Sequence, residues 1–198
     1  MDRAFSTWKV APELNIVLDK PATLAALTDA EAAVATFFGA LPDGDFISRV
    51  DDAWTPAEHL AHLNTSVSAA ARGFGISRLL LRLRFGKARH ASRSYEDLRD
   101  YYRSRLAGGG RASGGFVPKR MDLSGSQINA HREELLARWQ RVNQRLRAAM
   151  QPWSEKQLDT LLLPHPLLGK LTAREILFFT IYHNHHHIAG AQSRLPAR

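Results

Sequence analysis

The sequence predicts an all-α fold, a four-helix bundle with a long crossover connection and a short accessory helix. Apolar residues recur at intervals of three and four along four long stretches, the spacing of helices that bury one face. Runs that alternate β-branched or aromatic residues with polar ones are scarce, so few or no strands are expected. A segment rich in glycine and serine at residues 107–125 separates the second long stretch from the third and supplies the crossover.

The composition fits one folded domain. The 198 residues are 44% hydrophobic and include 9 Phe and 4 Trp, so we expect a single helical-bundle domain over residues 1–198, with an extended segment at residues 1–20. Cysteine is absent, which excludes disulfides, thiolate nucleophiles and cysteine-based zinc sites. The opening residues show no secretory signal, and the longest apolar run, ILFFTIY, is shorter than the roughly 20 residues that span a bilayer. A cytoplasmic protein without a membrane partner is expected.

The net charge of +8 raises the question of a nucleic-acid partner. The chain carries 27 Lys and Arg residues against 19 Asp and Glu residues. Basic side chains gathered on one face are typical of nucleic-acid-binding proteins. Here the arginines are spread over at least three segments, so we do not expect nucleic acid to be the partner.

The first predicted helix runs from about Pro21 to Leu41, where the turn sequence LPDGD ends it. Thr28 and Glu31 have the spacing of a capping box, in which a Ser or Thr and a Glu three residues later satisfy each other's backbone N–H groups. A break or restart of the helix near Thr28 is therefore an alternative to one continuous helix.

The second predicted helix begins sharply in the sequence WTPAEHLAHL. Thr55 is the N-cap, Pro56 occupies the first helical position, and Glu58 stands three residues after the cap. Gly73 and Gly75 are expected to end or bend the helix. One buried stripe is predicted from apolar residues spaced by three and four, namely Leu60, Leu63, Val67, Ala70 and Phe74.

The middle of the chain is predicted to hold the accessory helix and the crossover. Residues 76–94 mix basic and apolar side chains. A short helix is expected from Ser94 to Leu106, where three glycines stop it. Residues from Gly108 to Gly125 are typical of a long loop, and such loops often serve as lids or crossovers. The third long helix is expected from about Ser126 to Met150.

The C-terminal part is predicted to end in a fourth long helix. Ser154 and Gln157 cap a short helix before it, and the sequence LLPHPLLGK is then expected to form a loop held by its two prolines. The capping box of Thr172 and Glu175 opens the last helix, which reaches about Arg194. This helix carries the histidines of the sequence YHNHHHIAG.

The four histidines of that sequence divide between different helix faces. Residues four apart are neighbours on one face, so His183 and His187 are both expected to face the core. His185 points to nearly the opposite side, and His186 lies at the flank. Two imidazoles four apart can bind one divalent ion, but they need at least a third ligand.

The second helix offers His59 and His62 as candidates for that ligand, and a bundle core is a usual place for such a site. The apolar stripe lies slightly closer to His59, so spacing alone favours His59 over His62. A polar patch is the competing interpretation. A purification tag is disfavoured because Asn184 interrupts the histidine run. Buried imidazoles need polar partners, and a second helix that carries histidines supplies them, which favours a metal site.

The sequence WTPAEHLAHL, followed far downstream by HPLLGKLTAREILFFTIYHNHHHIAGAQ, resembles the DinB-like (YfiT-like) superfamily of metal-dependent enzymes. In that family a Trp followed by Ser or Thr precedes a ligand histidine by eight residues, as Trp54 precedes His62 here. The other two ligands are a His-x-x-x-His pair in the last helix, here His183 and His187. Gly190 departs from the pattern, since many relatives have Gln at that position. The resemblance therefore implies metal ligands at His62, His183 and His187.

The resemblance also implies a class of chemistry. Three histidines with open coordination positions are typical of a catalytic metal site, and the superfamily includes hydrolases and transferases that use low-molecular-weight thiols. The implied cofactor is a divalent metal ion, with zinc or nickel expected first and iron or manganese as alternatives. The implied partners are a small-molecule substrate, which can be a thiol, and a second copy of the chain. The alternative is a non-catalytic dimeric bundle that a metal or a histidine network stabilises.

No general base stands out in the sequence. Glu58 and Glu175 are better explained as helix caps. His59 and His186 are candidates for orienting the ligands or shuttling protons. The basic segment 78–93 could receive an anionic substrate, but a solvated helix face is the favoured interpretation.

Overall fold

The computed structural model describes residues 19–195, and within that range the chain forms eight α-helices and one two-stranded hairpin. The elements are α1 (Lys20–Ala40), α2 (Asp43–Phe46), α3 (Pro56–Gly75), α4 (Arg78–Phe85), α5 (Tyr95–Ala107), α6 (Ser126–Met150), α7 (Glu155–Thr160), β1 (Leu162–His165), β2 (Gly169–Thr172) and α8 (Ala173–Gln192). The predicted all-α class is confirmed. The extended segment predicted for residues 1–20 lies outside the described residues as far as residue 18, and Asp19 already caps α1.

The four longest helices, α1, α3, α6 and α8, pack around the core. Helix α3 lies against α6 and α8, while α1 lies against α8 and α6. Helix α5, the predicted accessory helix, lies on α8, so α8 is enclosed and is buried around most of its circumference. Within the described residues, no helix combines the length and the apolar character that crossing a bilayer requires.

The predicted capping boxes set the starts of the helices that carry histidines. The Thr55 hydroxyl accepts the Glu58 N–H, and the Glu58 carboxylate accepts the Thr55 N–H, which starts α3. Thr172 and Glu175 start α8 in the same way. The alternative of a restart at Thr28 is wrong, because α1 is continuous there and the Thr28 hydroxyl donates to a carbonyl one turn earlier.

The sequence LLPHPLLGK forms a hairpin, so the predicted loop is wrong. Strands β1 and β2 pair antiparallel, with Leu163 opposite Leu171, and both side chains are buried. Gly169 turns the chain with a φ of 77°, a conformation that glycine adopts without strain. Pro164 is tolerated because both strands of a two-stranded sheet are edges. Each strand has only four residues, and the segment contains two prolines. Its sequence therefore shows no clear alternation of apolar and polar residues that would predict a strand.

The basic segment contains helix α4, in line with the favoured helix face, although the sequence did not predict its bounds. Leu81 is fully buried, whereas Leu79, Leu80 and Leu83 are exposed. Apolar residues therefore occupy both faces of α4, and no apolar stripe marks it in the sequence. After α5, residues 108–125 remain a connection whose only helical piece is a 3₁₀ turn at Gly114–Phe116.

Candidate metal centre

Three imidazole nitrogens converge where α3 crosses α8. His62 Nε2 lies 3.2 Å from His183 Nε2, which lies 3.0 Å from His187 Nε2. One nitrogen from each of these residues lies within 4.8 Å of the other two, and all three side chains are buried. The structure thus brings together the three histidines that the family resemblance singled out.

The spacing and the protonation of the three histidines fit a divalent cation. Zinc–imidazole bonds are about 2.0–2.1 Å long, so neighbouring ligand nitrogens lie roughly 3 Å apart at the usual coordination angles. Burial lowers the pKa of His62, and it lowers the pKa of His183 and His187 well below 6.5. Neutral imidazole is the form that binds metal, so the donor set suits a cation.

Hydrogen bonds orient two of the three rings. His62 Nδ1 donates to the Phe116 carbonyl oxygen at 2.7 Å, which leaves a lone pair on His62 Nε2. His187 Nδ1 lies 2.7 Å from His59 Nδ1. Burial, aided by the nearby charge of Arg194, lowers the pKa of His59 to about 3, so His59 is neutral and can accept that hydrogen bond. If His187 Nδ1 donates in this pair, His187 Nε2 keeps a lone pair beside His183 Nε2, 3.0 Å away.

His59 and His62 thus take different places, although both are buried. His62 belongs to the convergent group, whereas His59 lies behind His187. Apolar spacing alone had favoured His59. Helix α3 packs against both α6 and α8, so its buried face is wide enough to include both histidines. The crossing with α8 decides which of the two meets His183.

The remaining histidines of α8 have other surroundings. His186 is half-buried and packs edge-on against Tyr102, with ring centroids 5.7 Å apart. His185 is also half-buried. Its side chain is less exposed than predicted because helices cover α8 on several sides. A Cβ at Gly190 would lie 3.5 Å from His59, so the glycine leaves space beside that ring.

A cavity of about 540 Å³ opens beside the three nitrogens. Trp54 forms part of its wall, with its ring stacked on His187 at 6.0 Å and tilted against His62 at 5.0 Å. Residues 110–113 and Phe116 of the long connection line another side. The predicted crossover loop therefore helps to enclose the site, and its Phe116 carbonyl holds His62.

Several residues of the cavity wall escaped the sequence analysis. Tyr102 and Phe179 line the cavity, as do Arg111 and Arg194. His165 lines it too, and its Nδ1 accepts two backbone N–H groups of the turn between the strands. Burial lowers the pKa of His165 to about 4, so this ring is neutral and carries its proton on Nε2. The only sequence signal was a histidine between two prolines.

Carboxylates are scarce around the cavity. Glu58 and Glu175 are confirmed as helix caps, and neither lines the cavity. Glu58 is further held by Arg49 and by the Met121 N–H. Among the described residues, Asp52 is the one carboxylate in the cavity wall, and the basic segment 78–93 contributes no side chain to it.

Comparison with known proteins gives a family. No curated protein and no solved structure matches the chain. The model of the DinB superfamily matches residues 26–190, which include α3, most of α8 and all three converging histidines. A match over that share of the 198 residues makes the chain a member of the DinB superfamily.

Proposed function

We propose that the protein is a metal-dependent enzyme, of hydrolase or low-molecular-weight-thiol transferase type, whose cation is held by His62, His183 and His187. The observation that carries the proposal is the meeting of three neutral imidazole nitrogens beside an open cavity. Membership of the DinB superfamily supports it. Zinc or nickel is the cofactor proposed first, since imidazole suits both.

A divalent cation bound there would supply Lewis-acid chemistry, lowering the pKa of a water or thiol that it binds. The chain's own residues prepare the site. The Phe116 carbonyl fixes the ring of His62, and His59 fixes the ring of His187. Trp54 packs against both rings, stacked on His187 and tilted against His62. His186 stands in the cavity wall without joining the group of three, so it can exchange a proton with a bound molecule.

The cavity favours catalysis over the alternative of a metal or histidine network that only stabilises a bundle. A structural metal site is closed by protein ligands, whereas a catalytic site keeps a position open. A space of about 540 Å³ is within the range of small-molecule sites. The proposed substrate is therefore a small molecule, and a thiol is one candidate.

Metal analysis of untagged protein tests the site. We expect about one divalent ion per chain in the wild type, and its loss in His62→Ala and His183→Ala. His185→Ala is the matched control, because His185 lies on the same helix outside the group of three. A metal content that is equal in His183→Ala and His185→Ala would contradict the proposal.

Turnover separates the enzyme from the stabilised bundle. Metal-loaded and chelator-treated protein should be compared on ester and amide substrates, and on thiol transfer to an electrophile. We expect turnover that needs the metal and is lost in His183→Ala. If the chelator lowers the melting temperature strongly and no substrate turns over, the non-catalytic bundle is the better description.

A further inference from the structure

A second cavity, of about 280 Å³, adjoins the first. The residues that line both cavities are Ser66, Phe116, His165, Pro166 and Phe179. The two cavities therefore border each other. A water molecule takes about 30 Å³ of the liquid, so the second cavity has room for a short alkyl chain or a ring.

Residues that contact the proposed ligands also line the second cavity. The ring of Phe179 stacks on His183, with centroids 4.7 Å apart, and Phe179 also lines the second cavity. The carbonyl of Phe116 holds His62, and Phe116 lines the second cavity as well. A molecule bound at the three histidines would therefore lie beside side chains that also border the second cavity.

Small and apolar residues form the walls of the second cavity. Helix α3 contributes Ala69, Ala70 and Gly73 to the wall, and the missing Cβ at Gly73 lets Leu163 of the hairpin approach α3 closely. Leu163 and Ile176 contribute aliphatic surface from β1 and α8. Among the described residues no carboxylate lines this cavity.

Four polar side chains line the second cavity, namely Ser66, Arg72, His165 and Thr180. The Thr180 hydroxyl donates to the Ile176 carbonyl. Arg72 is exposed, and its guanidinium donates to the Ser68 hydroxyl at 2.9 Å. His165 stands at the junction with the first cavity, where its Nδ1 is engaged by the turn of the hairpin. Its Nε2–H has no protein acceptor among the described residues. A substrate oxygen at the junction can therefore accept a hydrogen bond, while the space beyond stays apolar.

We propose that the second cavity is the subsite for an apolar arm of the substrate, an alkyl, acyl or aryl group attached to the head that reacts beside the three histidines. The inference rests on the proposed function, since the head needs the cation site. It assigns the substrate to molecules with a polar, cation-binding end and an apolar tail. Burying one methylene in an apolar site strengthens binding by about fourfold.

A series of straight-chain hydroxamates tests the inference, because the hydroxamate head binds divalent metals and only the tail varies. Titration calorimetry on zinc-loaded protein would compare acetohydroxamate with the butyryl, hexanoyl and octanoyl compounds. We expect the dissociation constant to fall by about fourfold per methylene until the cavity is full. Ala70→Leu should flatten the series and leave the affinity for acetohydroxamate unchanged.

The controls separate the two proposals. Ala71→Leu changes the neighbouring residue, which lies outside the cavity wall, and should keep the wild-type dependence on chain length. Acetohydroxamate that binds without any gain from longer chains overturns the apolar subsite while the cation site stands. Failure of acetohydroxamate to bind zinc-loaded protein overturns the open coordination position, and the subsite with it. The wild-type series decides the matter even where Ala70→Leu fails to fold.

Discussion

At the scale of single residues, the chemistry of the site depends on which nitrogen of each imidazole carries the proton. The Phe116 carbonyl can only accept a hydrogen bond, so the proton of His62 lies on Nδ1. In the pair of His59 and His187, a ligand role for His187 requires its own Nδ1 to donate to His59 Nδ1. The Arg194 guanidinium, 3.5 Å from His59 Nε2, can only donate and favours the opposite direction, so the two roles compete. We propose that His59 positions the ring of His187.

Replacing His59 tests this assignment. His59→Leu removes the acceptor and should weaken zinc binding by roughly 10- to 100-fold, the usual effect of losing such a partner. His59→Asn retains an acceptor near the position of Nδ1 and should recover much of the affinity. Competition with a zinc-binding dye measures both. Equal affinities for His59→Leu and the wild type would show that His59 does not act through His187.

At the scale of elements, helix starts were predictable because capping is local. The residues of a capping box lie within four positions, so Thr55 with Glu58 identifies the start of α3 without knowledge of the fold. The hairpin and the bounds of helix α4 were not predicted. Their residues gain burial only from segments distant in sequence, as Leu163 does beneath α3 at Gly73.

Two matched threonine substitutions test which of two capping-box spacings marks a real helix cap. Thr55→Ala removes a buried hydroxyl that caps α3, and it should lower the free energy of unfolding by about 1 kcal/mol. Thr28→Ala changes an exposed threonine inside α1, and it should lower the free energy by less than about 0.5 kcal/mol. Urea denaturation of both variants tests this. A larger loss for Thr28→Ala would favour a cap at Thr28.

At the scale of the whole molecule, burying neutral histidines makes the fold sensitive to acid. His165 has its pKa lowered from 6.5 to about 4 by burial. Between these values the unfolded chain takes up a proton that the folded chain does not, so this contribution to stability is present above pH 6.5 and is lost as the pH falls toward 4. The proposed ligands have pKa values shifted in the same direction.

Denaturation of chelator-treated protein as a function of pH tests the acid sensitivity. The free energy of unfolding should fall as the pH is lowered from 6.5 to 4. His165→Asn keeps an acceptor for the turn but cannot titrate, so its curve should be flatter over this range. Parallel curves for the variant and the wild type would exclude His165 as a source of the slope.

The sequence by itself determined the all-α class, the starts of the long helices and the pairing of His183 with His187 on one face. These follow from helical periodicity and capping, which act over a few residues. The selection of His62 came from a resemblance, since spacing on α3 favoured His59.

Only the tertiary structure decided which histidine of α3 meets His183, where the two cavities lie, and that His165 and Phe116 border both. The physical reason is that these features arise at crossings of elements far apart in the chain. His62 and His183 are separated by 121 residues, and the Phe116 carbonyl reaches His62 from a connection with little regular structure. The periodicity within one helix does not determine how that helix crosses another. The packing of α3 against α8 therefore decided which histidine meets His183.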